Sequence, residues 1–525
     1  MSTSPPKDQR VALVAPAGSP TAAMYVYDHD YRVVAGGVGT LRASLPPGIY
    51  KIRYEAGSTS AESLFELPQG AGELRLPAPK LAGLRTPAPL TDAFETSAVV
   101  GQRAFELSKS PGVACGGGSQ AFVFIQGSAE GLALYDFSDK LLVDFASQPT
   151  VDGCVGCNVD LDPGSYLLRL ALADGQALEQ TIVTCPGWQT QYFAATEALS
   201  AHDHEPRVNL ANAALFMART GVGFHPGEEQ LSWVEMARQE LAQGRFPCPS
   251  DQAHEATVSG KPADEPNLDR SVLADMADEN QANPMLAIYA AHLMMLLRHR
   301  DEALLHQIAD RLTILIGEHP DVQSINLWFD AAVAAKAKEV TIPPMLRSSW
   351  SILVNRSRAN EKLLPSNSYP VRIADRLWGS GAWLVWRKPG TLEHALAGAD
   401  IDAEWKALCA RVTVALGDQS VALFVGGIAS ARSLTGLETT VLRYVAEVVH
   451  QQQLGRKLAA QLDSAGLLAP LRGLYRRFIP SDIALALEKA AQALLSRDRV
   501  VKDLGLPMAA VNEAVAGLVA KLQAP

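Results

Sequence analysis

A chain of 525 residues is too long for a single hydrophobic core and predicts several domains. Its formal net charge of -10 argues against a general binder of nucleic acid or anionic membrane, because both are polyanions. Six cysteines in so long a chain do not make a disulfide framework, the opening residues lack an apolar signal core, and no run reaches the roughly 18 apolar residues of a membrane span, so a soluble, cytoplasmic protein is expected.

From Val11 to about Leu76 the pattern is that of strands, with alternation in Met24-Tyr25-Val26-Tyr27 and Tyr50-Lys51-Ile52-Arg53-Tyr54. The stretch then repeats. Tyr27-Asp28 and Leu45-Pro46-Pro47-Gly48-Ile49-Tyr50-Lys51-Ile52-Arg53 return as Tyr135-Asp136 and Leu161-Asp162-Pro163-Gly164-Ser165-Tyr166-Leu167-Leu168-Arg169. In each copy a Pro-Gly pair makes the tight turn before the strongest strand. The offset grows from 108 at Tyr27/Tyr135 to 116 at Tyr50/Tyr166, which places an eight-residue insertion around Thr150 to Cys157, bringing the Cys154-Val155-Gly156-Cys157 pair with it. With Cys115 and Cys185, that pair supplies four thiols for a structural zinc site, against the alternative of small buried cysteines and a reduced loop. A duplicated β-module without a catalytic constellation reads as a platform for contacts.

A Pro-rich connector, Pro77 to Leu90, separates the copies. After Gln191-Tyr192-Phe193 helical spacing is expected at Leu210 to Ala218 and at Glu229 to Gln243. A polar loop, Phe246 to Asn267, follows, about 20 residues without apolar periodicity, a length that is uncommon and tends to be functional or disordered. Asn283 is the expected N-cap of a helix through Leu297, with Pro284 at its first position; a second helix spans about Glu302 to Ile316 and ends near Gly317, and a third runs from Val322 to Ala335.

Five of the eight tryptophans fall between Trp328 and Trp386, interleaved with arginines. Trp350, Arg347, Arg372, Arg376, Trp378, Trp383, Trp386 and Arg387 are the candidate partner-binding residues, because Trp and Arg dominate interface hot spots; the competing reading is a core with Trp inside and Arg on a solvated face. Towards the end, Leu434-Thr435-Gly436-Leu437 and Leu504-Gly505-Leu506-Pro507 each lead into an apolar helix, in the manner of a helix-turn-helix. Met508 to Leu522 carries Lys521 as its one basic residue, too few for a recognition helix, so a DNA-linked regulator is the weaker alternative.

No phosphate-binding loop, nucleophile elbow or zinc-protease motif occurs in the sequence. His202-Asp203-His204-Glu205 is the densest ligand-like run, placed in a polar linker, and no catalytic residue is assigned. An enzyme with a dispersed site in the helical region stays open as an alternative. The expected fold class is a multidomain α+β protein, with two N-terminal β-sandwich modules followed by a mostly helical region. Its parts are module 1 at 1–80, module 2 at 91–195, a helical domain at 196–340, a Trp/Arg-rich mixed region at 341–432 and helical modules at 433–525.

The Leu-Pro-Pro-Gly-Ile-Tyr and Leu-Asp-Pro-Gly-Ser-Tyr turns resemble those of PEGA-like and carboxypeptidase-regulatory-like β-modules, which implies spacer or docking roles. Four further runs, Asn283-Pro284-Met285-Leu286, His319-Pro320-Asp321-Val322, Pro344-Met345-Leu346-Arg347-Ser348-Ser349-Trp350 and Ala382-Trp383-Leu384-Val385-Trp386, resemble uncharacterised bacterial conflict-system proteins associated with caspase-like or CHAT-type peptidases. That resemblance implies a non-catalytic adaptor in bacterial defence, or a substrate cut in the exposed 246–267 loop, with Cys248, Ser250, Asp251 and Lys261 as candidate cleavage residues and the peptidase as protein partner.

Overall fold

The computed structural model describes residues 10–16, 23–29, 33–38, 40–56, 59–68, 72–77, 79, 87–89, 95–173, 175–199, 205–226, 229–243, 270–277, 283–297, 300–329, 337–379, 381–389, 400–416, 419–464 and 496–523. The chain is α+β. It divides into two compact units, and both are discontinuous: Met1–Phe329 with Pro344–Trp350 and Trp378–Lys388, and Asp330–Pro343 with Ser351–Leu377 and Pro389–Pro525. The expected 341–432 region is therefore shared between the two units.

In the first unit the N-terminal strands form two sheets. Val11–Pro16 lies between Thr40–Leu45, antiparallel, and Glu73–Arg75, parallel. Ala23–Tyr27 lies between Val33–Val38 and Gly48–Ala56, and Thr59–Leu67 follows at the edge. Alternate side chains point between the sheets: Leu13 and Ala15 from one, Met24, Val26, Ile52 and Tyr54 from the other, in one buried cluster.

The same pairing recurs, residue for residue, over 119–197. Ser119–Gln126 lies between Cys154–Leu161, antiparallel, and Trp188–Glu197, parallel. Leu132–Tyr135 lies between Leu141–Asp144 and Gly164–Ala171, and Ala177–Thr184 follows. Val11 opposes Leu45 as Ser119 opposes Leu161, and Tyr27 opposes Lys51 as Tyr135 opposes Leu167. Even the irregularity is copied, since the register slips between Val26 and Tyr27 and again between Leu134 and Tyr135. The Tyr50 hydroxyl donates to the Pro46 carbonyl at 2.9 Å and the Tyr166 hydroxyl to that of Asp162 at 2.8 Å, each four residues back, so each Pro-Gly turn is pinned by its own tyrosine.

The second copy is enlarged. Helix Glu95–Ser108 packs on strand Cys154–Leu161, where a Cβ on Gly156 would stand 2.6 Å from a methyl of Leu107. Asn158 Nδ2 and Gln189 Nε2 donate to the Ser108 carbonyl at 2.7 and 2.8 Å and satisfy that helix end. Beyond Trp188–Glu197 comes strand Ala214–Arg219, antiparallel to it. The helix expected at Leu210 to Ala218 is therefore a short 3-10 turn, Leu210–Asn212, followed by a strand. Ala214-Leu215-Phe216-Met217 is buried throughout, and a continuous apolar run fits a buried strand as well as a helix.

Helices Glu229–Gln243, Arg270–Met276, Pro284–Met294, Glu302–Ile316 and Pro320–Phe329 complete this unit. Asn283 caps as expected, accepting from the Met285 and Leu286 N–H groups, and Gly317 ends its helix at φ 69°.

The second unit is helical, with Ile401–Leu416, Val421–Arg432, Gly436–Ser464, Arg497–Leu504 and Met508–Gln523. Thr435 and Glu438 form a capping box: Thr435 Oγ1 accepts from the Glu438 N–H at 3.1 Å, and Glu438 Oε2 accepts from the Thr435 N–H at 2.8 Å. Met508 to Val511, Ala514, Val515 and Leu518 are buried, so the second helix of the expected helix-turn-helix turns its apolar side into the core of this unit. Among the described residues, no single helix is long and apolar enough to cross a membrane.

Candidate functional site

The duplicated strands converge on a buried polar edge in the second copy. Arg169 and Glu179 oppose one another across strands Gly164–Ala171 and Ala177–Thr184. Glu179 is fully buried, and its Oε1 accepts from Arg169 Nε at 2.8 Å. The Arg169 guanidinium also bonds Asp139 and lies over the Tyr135 ring, 3.8 Å from its centre. An isolated carboxylate would not survive such burial; paired and bonded on both oxygens, it does.

The second oxygen is bonded by a remote segment. Strand Val385–Arg387 adds antiparallel to the outer edge of Ala177–Thr184, with Trp386 opposite Glu179, and Trp386 Nε1 donates to Glu179 Oε2 at 2.9 Å. The Lys388 N–H donates to the Ala177 carbonyl at 2.7 Å, and Lys388 Nζ reaches both Asp139 oxygens at 3.0 Å. The Asp139 carboxyl stays below its ordinary pKa: burial works against this, but Arg169 and Lys388 outweigh it. The segment's other end is held too, since Trp383 Nε1 donates to the Ala213 carbonyl at 2.5 Å.

A second polar cluster joins helices Pro284–Met294 and Pro320–Phe329 to the segments around Met345 and Leu384. Asp321 is fully buried and accepts from the Met345 and Leu346 N–H groups at 2.8 and 3.1 Å and from Ser349 Oγ at 2.6 Å; His319 Nδ1 lies 3.1 Å from Oδ2 and accepts from the Asp321 N–H at 3.3 Å. Leu384 N–H donates to the Met345 carbonyl, and Arg347 N–H to that of Ala382. His292, from helix Pro284–Met294, lies between Ser348 at 3.0 Å from Nδ1 and Ser349 at 3.1 Å from Nε2. Burial alone would raise the Asp321 carboxyl, but its contacts with His319 and Ser349 hold it below the ordinary value. Burial drives His292 down to about 4, so the ring is neutral at neutral pH.

Serine, histidine and aspartate are thus assembled, but not as a hydrolytic triad. In a triad the carboxylate orients the imidazole, and the imidazole takes the serine proton. Here the carboxylate takes the Ser349 hydroxyl hydrogen directly. Ser349 Oγ must then accept from His292 Nε2–H, which leaves Nδ1 to accept from Ser348. Every proton is committed, and Ser348, Ser349, His292 and Asp321 are all buried. The arrangement is a staple that fastens the loop before helix Arg347–Arg356 to helices Pro284–Met294 and Pro320–Phe329.

Of the candidate partner-binding residues, Trp350, Trp383 and Trp386 are interior, which corrects their expected place on a binding surface: their indoles fill the core. Trp378 is half-buried, and its carbonyl accepts from Arg347 Nη2 at 3.1 Å, as does that of Gly379 at 2.8 Å. Arg387 is exposed and bonds Gln176 at 2.8 Å. Arg372 and Arg376 belong to the other compact unit, where Arg372 faces the Tyr369 ring and Arg376 lies 3.6 Å from Asp375. The eight do not form one patch within either unit.

The expected zinc ligands are dispersed. Cys154 and Cys157 are on one strand, three residues apart, so the two-residue side-chain period turns them to opposite faces. Cys157 opposes Val123 as Leu41 opposes Ala15, so it occupies a core position of the repeat rather than the inserted loop. Cys185 packs on Met217 with sulfurs 3.7 Å apart, and Cys115 Sγ lies 3.6 Å from the Leu142 carbonyl. Among the described residues no group of three or more His, Cys, Asp or Glu could hold a metal ion. Burial pushes the Cys157 thiol up to about 11 and Cys185 to about 12, which suits inert core thiols. The candidate cleavage residues Cys248, Ser250, Asp251 and Lys261 lie outside the described residues, as do His202, Asp203 and His204.

Glu179 and Asp139, which meet at Arg169, are the polar residues that the sequence did not bring together. Their one sequence signal was the repeated Tyr-x-x-Arg, Tyr50 to Arg53 and Tyr166 to Arg169. No family model and no curated protein matches the chain.

Proposed function

We propose that the protein is a non-catalytic interaction scaffold built on two β-sandwich modules. It works in the cytoplasm within a bacterial defence or conflict system, and its partner is a caspase-like or CHAT-type peptidase. The observation that carries the reading is the edge of the second module, which holds an extended segment from more than 200 residues away by backbone pairing and one buried Glu–Trp bond. A β-module able to hold a strand in this way is a docking platform by construction. Three of the four runs that resemble peptidase-associated proteins also meet in one staple, with His292 from the helix that follows the fourth, which supports their being a single structural unit. A dispersed active site finds less support: a groove of about 420 Å³ in the helical unit is lined by Val412, Val414, Phe424, Ile428 and Leu522, with Arg411 as its charged group.

The test is co-expression with a bacterial caspase-like or CHAT-type peptidase, followed by size-exclusion chromatography at micromolar concentration. A stoichiometric complex is expected. Separate elution, together with absence of cross-linking, overturns the proposal.

A further inference from the structure

The two copies differ at one edge. In the second, Ala177–Thr184 carries Val385–Arg387 on its outer side. In the first, the equivalent strand is Thr59–Leu67, and among the described residues no strand pairs with its outer side. Tyr50 opposes Phe65 as Tyr166 opposes Ile182, so Glu62 is the counterpart of Glu179 and Leu64 that of Thr181. The arginine is repeated as well: Arg53 opposes Glu62 as Arg169 opposes Glu179.

The surroundings differ as an unfilled site differs from a filled one. Thr181 is fully buried, whereas Leu64 is 75% exposed. Ile49, its diagonal neighbour on the outer face, is 67% exposed. Glu62 is exposed and bonds Lys51 at 2.7 Å, with Arg53 at 3.9 Å. A nine-residue edge strand with exposed leucine and isoleucine beside it is the kind that pairs with another chain.

We infer that the Thr59–Leu67 edge of the first module receives an extended, antiparallel segment of a partner protein, with a tryptophan opposite Glu62 and a basic residue after it. The inference rests on the scaffold reading and names its partner chemistry. The bound form is already drawn in the second module: the Ala177 carbonyl faces outward to Lys388 N–H, and since backbone groups alternate, Glu179 and Thr181 face outward too. Their counterparts Glu62 and Leu64 offer the same groups. The indole finds its acceptor in Glu62, its body covers Leu64, and the basic residue after it comes opposite Ala61 as Arg387 comes opposite Leu178.

The probe is a fluorescent peptide with the sequence of Ala382 to Lys388, titrated into the full-length protein by anisotropy. Leu64→Pro removes an outward N–H without touching the ladder to Gly48–Ala56, so the fold, followed by circular dichroism, should persist. Saturable binding is expected, weakened at least about tenfold by Leu64→Pro and severalfold by Glu62→Ala, which alters no backbone group. Absence of binding, or binding indifferent to both substitutions, overturns the inference. So does a dimer sensitive to Leu64→Pro in a protein that ignores the peptide, because the edge then belongs to a second copy. A peptidase complex that forms although the peptide does not bind removes this inference and leaves the scaffold reading standing; the reverse pattern removes the scaffold's named partner and leaves the edge.

Discussion

Trp386 donates its indole N–H to Glu179 at 2.9 Å across 207 residues of sequence, joining a remote strand to the four strands Leu132–Tyr135, Leu141–Asp144, Gly164–Ala171 and Ala177–Thr184. Replacing Trp386 with Phe keeps most of the apolar volume and deletes the donor, leaving a buried carboxylate oxygen short of a partner. The expected cost is roughly 1.5 to 3 kcal/mol, the range for a hydrogen bond to a charged group. Urea denaturation checks it, and Glu179→Gln in the Trp386→Phe background should restore part of the loss because it removes the buried charge.

Asp321 gathers two backbone N–H groups, a serine hydroxyl and a histidine in a site without solvent. Asp321→Ala should cost about 3 to 5 kcal/mol, since three buried donors lose one acceptor at once. Ser349→Ala should cost about 1 to 2 kcal/mol. Thermal melts of the two variants order the effects. Equal losses would sink the account of Asp321 as the hub.

The same staple sets an acid response. His292 has a folded pKa of about 4 against an ordinary 6.5, so between those values the unfolded chain binds the extra proton. Stability therefore rises with pH through that window and falls on acidification from 6.5 towards 4, by roughly 3 kcal/mol for this group. Asp321, held below its usual pKa, adds its own loss at still lower pH. Denaturation midpoints from pH 4 to 7 should show the slope, and His292→Gln should flatten it between 4 and 6.5.

The repeated tyrosines should be equivalent. Tyr50→Phe and Tyr166→Phe each delete one hydroxyl bond to a turn carbonyl, and each should cost about 1 kcal/mol. Stability measurements on the two variants and their double check both the size and the additivity expected of distant sites.

Cysteine chemistry separates core thiols from a metal site. Cys157 and Cys185, raised to about 11 and 12 by burial, should react with iodoacetamide at pH 7.5 only after denaturation. Prompt modification of either in the folded protein contradicts the placement.

The duplicated turn could be read from the sequence because it depends on local chemistry: Pro-Gly sets the turn, and the tyrosine that pins it lies four residues from its acceptor. The Asn283 cap and the Gly317 stop were legible for the same reason. Strand Ala214–Arg219 was not, because an unbroken apolar run has no period to read. The Trp/Arg region misled through composition. Trp383 and Trp386 look like an interface because they serve one, but that interface is internal to the chain. The two clusters at Glu179 and Asp321 draw on segments tens to hundreds of residues apart, and spacing along a chain does not encode that proximity.

The late origin of strand Val385–Arg387 has a consequence for biogenesis. A ribosome adding roughly 5 to 20 residues per second needs roughly 10 to 40 s to make the chain between Glu179 and Trp386. Throughout that interval the nascent second module carries an unsealed strand and an acidic side chain waiting for its indole. Truncated translation products ending before Val385 should accordingly be the species that chaperones retain.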